Sequence, residues 1–156
     1  EIYASVVVSE NNREIYAQLT ITETRAIENK MVDAAAMSKG LRETGRIALY
    51  GIYFDTDRAV LKPESRPALE QIAKLLAAEA QLNVFIVGHT DSQGPYAYNL
   101  DLSRRRAEAI AEELVKNYRI GAPRLRTAGV AHLAPVGSNG NEAGRALNRR
   151  VELVAP

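Results

Sequence analysis

Cysteine is absent from the sequence, so disulfides and thiolate metal sites are excluded, although the absence does not choose between reducing and oxidising compartments. No apolar run approaches the roughly 18 to 20 residues needed to span a bilayer as a helix. Nor does one charge dominate: 20 Lys and Arg stand against 19 Asp and Glu, a net charge of +1. That balance removes the global electrostatic argument for nucleic acid, so any recognition by charge must be local. There is also no initiating Met and no basic region followed by an apolar core, which leads us to expect a processed or excised fragment whose upstream signal or anchor is missing.

What is present is the composition of a globular protein. With 156 residues, 46% hydrophobic and 25% charged, the chain suffices for one domain with a sizeable core and a small appendage. Residues 2 to 23 hold two extended-looking runs, IYASVVV and EIYAQLTIT, around the polar stretch SENNR, a hairpin signal. A lone hairpin is marginal and needs a surface to pack on, whether the main domain, an upstream segment or another chain. From about Glu23 to Glu43, Ile27, Met31, Ala34, Ala35, Ser38 and Leu41 recur at helical spacing, predicting an amphipathic helix that ends near Gly40 or Gly45. Met31 and Met37 read as core filler.

The main domain is expected over residues 46–156, leaving 1–45 as an N-terminal hairpin and helix. RIALYGIYF predicts its first strand, and Leu69, Ile72, Ala73 and Leu76 the inner face of a helix from about Pro63 to Ala80. Leu82 to Val87 is too short for an independent helix and reads as a buried strand. Ala107, Ile110, Ala111, Leu114 and Tyr118 predict a helix over Leu102 to Tyr118, with Ser103 or Asp101 to cap it and Gly121 beyond its end. RLRTAGV and RRVELV read as strands joined by a turn-rich connection without an obvious helix. The resulting β-α-β-α-β-β order predicts an α/β two-layer sandwich with a mixed sheet, preceded by the hairpin and helix.

Chemistry concentrates in GHTDSQGPYAYNLDLSRRRAEAI, Gly88 to Ile110, where Asp91 and Arg106 flank a strand-to-helix turn. Opposite charges there suit a ligand carrying both signs. They equally suit a mutual surface salt bridge, typically worth about 0 to 1 kcal/mol. His89 has only Asp91 and the distant His132 as candidate co-ligands, so no metal site is expected, and a turn supported by its hydrogen bonds is the simpler role. Ser92 and Ser103 lack a nucleophile-base arrangement, and Asn99 reads as a loop-stabilising amide. Arg104 and Arg105 fall on other helix faces than Arg106, beside Glu108, Glu112 and Glu113, and read as solvated surface.

Three blocks, IYFDTDRAVLKP at 52 to 63, GHTDSQGPYAYNLDLSRRRA from Gly88, and GRALNRRVEL at 144 to 153, resemble in order the OmpA-like peptidoglycan-binding family, found also in Pal lipoproteins and MotB stator proteins. The likeness extends over about Arg46 to Leu153 and leaves the first 45 residues outside. It implies a periplasmic, noncovalent cell-wall anchor that recognises meso-diaminopimelate in the peptidoglycan stem peptide, with no cofactor and no catalysis. By the same resemblance, Asp91 accepts from the ligand ammonium and Arg106 grips its carboxylate. Thr56 and Asp57 add contacts, Leu102 lines the pocket, and Arg149 supports its charged wall. Arg106 is expected near its helix start, where free backbone donors would reinforce it.

Two other functions are compatible with these residues. One is an assembly or motor-associated module whose residues 1–45 bind an envelope protein partner or a second copy of the chain. The other, weaker because no complete hydrolytic constellation is visible, is a cell-wall hydrolase.

Overall fold

The computed structural model describes residues 2–11, 14–23, 32–55 and 57–156. β1 (Ile2–Asn11) and β2 (Glu14–Glu23) form a two-stranded antiparallel hairpin whose register runs from Ile2↔Glu23 to Asn11↔Glu14. The strands thus extend into the polar SENNR stretch expected to separate them, because ladder bonds satisfy backbone groups whatever the side chains.

The helix expected from Glu23 begins only at Ala34. Glu23 still belongs to β2, residues 24 to 31, with Ile27 and Met31, lie outside the described residues, and α1 spans Ala34–Thr44. Asp33 sets that start: its side chain accepts from the Ala36 N–H at 2.8 Å, satisfying a donor that the first turn leaves free. Gly45, at φ 73°, closes the other end by donating to the Leu41 carbonyl, whereas Gly40 lies inside the helix. Met37 and Leu41 are buried in the same core as the sheet, so α1 packs with the main domain although the sequence division leaves it with the N-terminal segment.

That domain is a four-stranded mixed sheet in the order β3-β6-β4-β5. Its elements are β3 (Arg46–Leu49), α2 (Arg66–Ala78), β4 (Val84–Gly88), α3 (Tyr96–Tyr118), β5 (Leu125–Gly129), α4 (Glu142–Asn148) and β6 (Val151–Val154). β4 and β5 are parallel with α3 as their crossover, while β6 runs antiparallel between β3 and β4. Along β4 buried Val84 and Ile86 alternate with half-buried Phe85 and Val87, the signature of a sheet covered on one face. Ile72 and Leu76 of α2, Ile110 and Leu114 of α3, Ile86 and Leu153 fill that covered side. Each such side chain contributes about 1.5–3 kcal/mol by leaving water.

Three expected boundaries differ. β3 stops at Leu49, and the rest of RIALYGIYF leaves the sheet, with Phe54 forming an isolated antiparallel bridge to Leu61. α3 starts at Tyr96, with Pro95 at its cap position in an extended conformation, so Asp101 and Ser103 lie inside the helix and neither caps it. Its left-handed C-terminal residue is Arg119, at φ 57°, rather than Gly121. The last connection does hold a helix: α4 is only 7 residues long and is started by Asn141, which accepts from the Gly144 N–H at 2.8 Å. Among the described residues no helix is long and apolar enough to cross a membrane.

Candidate functional site

β4 delivers the chain to Asp91, whose side chain is held from two directions. One carboxylate oxygen accepts from the Gln93 N–H at 2.9 Å, a local turn contact, and the other from Arg149 Nη1 at 2.7 Å. Only 8% of the residue is exposed. Asn99, buried in the first turns of α3, donates to the Gln93 carbonyl at 2.8 Å and the Asp91 carbonyl at 3.4 Å, tying the loop to the helix. Arg149 also pairs with Glu142 at the start of α4, so the cation against Asp91 is itself braced.

Arg106 does not pair with Asp91. Its Nε donates to the Arg58 carbonyl at 3.0 Å and its guanidinium lies 5.0 Å above the Phe54 ring. Burial holds its pKa below the ordinary guanidinium value, with the nearby Asp57 carboxylate acting in the opposite direction. An arginine stays charged under such a shift. Arg106 is therefore a partly desolvated cation whose Nη atoms make no ion pair among the described residues. The expected help from a helix N-terminus is absent, because Arg106 sits in the middle of α3 and the dipole's effect fades within the first turn.

A cleft of about 430 Å³ brings Asp57, Asp91, Asn99, Leu102, Arg106 and Arg149 together. Thr56 lies outside the described residues. Asp57 adopts a left-handed φ of 56°, a conformation costing roughly 1–2 kcal/mol for a side-chain-bearing residue, and its carbonyl accepts from the Tyr98 hydroxyl at 3.3 Å. Phe54 and Gln93 also line the cleft and were not anticipated. Phe54 stood in the IYFD block as an aromatic beside an acid. Gln93 and Arg58 act through backbone groups, which leave no mark in side-chain chemistry.

Ser103 is wholly buried, donating to the Leu100 carbonyl and accepting from the Ala131 N–H, while Ser92 uses its backbone N–H to reach Asn139. Neither is poised as a nucleophile. A wider groove of about 590 Å³ lies between α3 and β5, but its charges are the solvent-facing Glu108, Glu112 and Lys116 rather than desolvated groups converging on one point.

His89 plays a different part from the one expected. Only 4% exposed, it makes no side-chain hydrogen bond; its backbone N–H instead donates to the Arg150 carbonyl at 2.9 Å. Burial first, then the Arg150 charge, pushes its pKa down to about 4 from the ordinary 6.5. The folded state thus resists a proton that the unfolded chain accepts, so stability is full above about pH 6.5 and is lost as pH falls towards 4. We expect a loss of about 2 kcal/mol between pH 7 and pH 5, above the carboxylate range, measured by urea denaturation. His89→Gln should flatten this slope, and a wild type equally stable at both pH values would contradict the assignment.

Comparison with known proteins identifies the family. Residues 53–149 match the OmpA family model, a span that contains the cleft from Phe54 to Arg149. The chain is 44% identical over 101 residues to outer membrane porin F of Pseudomonas fluorescens, covering 65% of this chain and 31% of the porin. It is 37% identical over 103 residues to the peptidoglycan-binding protein ArfA of Mycobacterium bovis, covering 66% and 31%. Both relatives are thus about three times as long as the part that matches. Among solved structures, the peptidoglycan-associated lipoprotein of Burkholderia pseudomallei superposes with a TM-score of 0.60 at 31% identity, over 67% of this chain and 88% of that one. Sequence blocks, sheet order and relatives converge, and the chain belongs to the OmpA family.

Proposed function

We propose that this domain binds peptidoglycan noncovalently through the meso-diaminopimelate of the stem peptide, tethering an outer-membrane-associated or periplasmic protein to the cell wall. One observation carries the reading: a nearly buried carboxylate and a partly desolvated guanidinium share a cleft without neutralising each other. The free end of diaminopimelate carries an ammonium and a carboxylate. Asp91 accepts from the first, and the Nη atoms of Arg106 fork onto the second. Leu102 supplies an apolar wall for the methylene chain between them.

The test compares soluble muropeptides that differ only at the third stem residue. A lysine there keeps the ammonium but lacks the second carboxylate, leaving Arg106 desolvated and unpaired. Binding by isothermal titration calorimetry should weaken roughly tenfold or more, since charged hydrogen bonds contribute about 1.5–3 kcal/mol. Equal affinity for the two muropeptides would remove the proposed role of Arg106.

A further inference from the structure

The core fills one face of the four-stranded sheet, the side of Val84, Ile86 and Leu153. Alternation sends the intervening residues to the opposite face. There the register lines up Arg46, Val154, Phe85 and Arg126 across the four strands, with Val87 and Ala128 side by side in the next row. Phe85, Val87, Ala128 and Val154 are only half-buried, and none of them belongs to the core. The two arginines that end the first row are exposed, and the Arg126 guanidinium lies 5.6 Å over the Phe85 ring. Glu152, the acid on this face, is already buried against Arg46 and Arg150. One carboxylate set against Arg46, Arg126 and Arg150 leaves the outer face an apolar strip with net positive charge.

We propose that the β1–β2 hairpin packs on this outer face of its own chain as a second sheet layer. Among the described residues β1 and β2 pair only with each other, and a lone hairpin is marginal until a surface covers it. In β2, Ile15, Ala17, Leu19 and Ile21 fall at alternate positions, and the register sets the last three opposite Val8, Val6 and Ala4. Directly paired positions share a face, so the pairing assembles one apolar side. The charge is complementary as well, since residues 2 to 23 hold Glu10, Glu14 and Glu23 against the single base Arg13. Reach allows it: residues 24 to 33 join β2 to α1, which packs beside the edge strand β3. That tether extends to roughly 33 Å, whereas stacked sheets lie about 10 Å apart and four strands span about 14 Å. A second copy of the chain is the competing occupant, and it lacks the effective concentration that the tether provides.

Amide hydrogen exchange read by mass spectrometry on the whole chain tests the packing. Phe85→Asp puts a charge in the middle of the apolar strip and should speed exchange in β1 and β2 by roughly tenfold or more, leaving α2 and α3 unchanged. Arg126→Glu alters only an exposed side chain and should speed it by a smaller factor, roughly threefold, through repulsion of the acidic hairpin. If Phe85→Asp also loosens α2 and α3, Arg126→Glu alone decides. Hairpin exchange that matches the wild type in Arg126→Glu and in a folded Phe85→Asp would overturn the proposal. So would wild-type protection that fades on dilution, which would assign the face to a second copy. None of the residues altered lines the cleft, so failure here leaves the cleft assignment intact.

Discussion

Arg106→Ala is expected to weaken binding of a diaminopimelate-containing muropeptide by about a hundredfold, and Arg106→Lys by nearly as much. The reason lies in how the guanidinium is divided. Its Nε is committed to the Arg58 carbonyl and its face to Phe54, which orients the two Nη atoms before ligand arrives. Lysine keeps a charge but has neither the Nε anchor nor a planar fork. Because Arg106 makes no ion pair among the described residues, its removal should forfeit only the Arg58 hydrogen bond and the Phe54 contact, about 1–2 kcal/mol, so the variant stays folded in buffer and a urea titration separates lost recognition from lost fold.

Asp91→Asn is the companion variant. It keeps an oxygen for the Gln93 N–H but loses the charge that meets the ammonium and Arg149. Titration of both folded variants with the same muropeptide decides the matter: wild-type affinity in both would sink the two-ended grip.

Why the acid and the base do not quench each other was not legible in the sequence. Asp91 takes Arg149, 58 residues away, because β6 inserts beside β4 and pairs Val151 with Gly88, bringing the residues before β6 alongside the loop after β4. Strand insertion of this kind depends on the whole sheet, and no local pattern reports it. The strands themselves were legible from apolar content, and the inner stripe of α3 from Ala107, Ile110 and Leu114.

The start of α3 was not legible, since Pro95-Tyr96-Ala97-Tyr98 carries no side-chain cap and the turn is held instead by Asn99 reaching backward. That error moved Arg106 to a helix end it does not occupy. α4 was missed for another reason: a helix of 7 residues containing Gly144 is below the length at which periodicity can speak. Its Gly144 is needed for contact, because a β-carbon there would lie 2.1 Å from the Ser138 carbonyl oxygen.

Glu152→Ala should cost about 3–5 kcal/mol of stability, measured by urea denaturation at pH 7. Arg150 has a side chain shut off from solvent, and Glu152 accepts from its Nε at 2.8 Å and lies 2.7 Å from its Nη2. Alanine would leave that guanidinium buried with the Ala134 carbonyl as its remaining side-chain partner among the described residues. Arg46 also faces Glu152, at 3.6 Å, so one carboxylate balances two arginines, with the neutral His89 ring 3.8 Å away. The penalty comes from the stranded charge rather than from any large worth of the pair. Replacing both partners by methionine should therefore recover most of the loss, since apolar substitutes of similar volume need no counter-charge. A single variant losing less than about 1 kcal/mol would show that solvent reaches Arg150 after all. Muropeptide binding offers a second readout: Arg149 precedes Arg150, so releasing the buried arginine should also loosen the cation that positions Asp91.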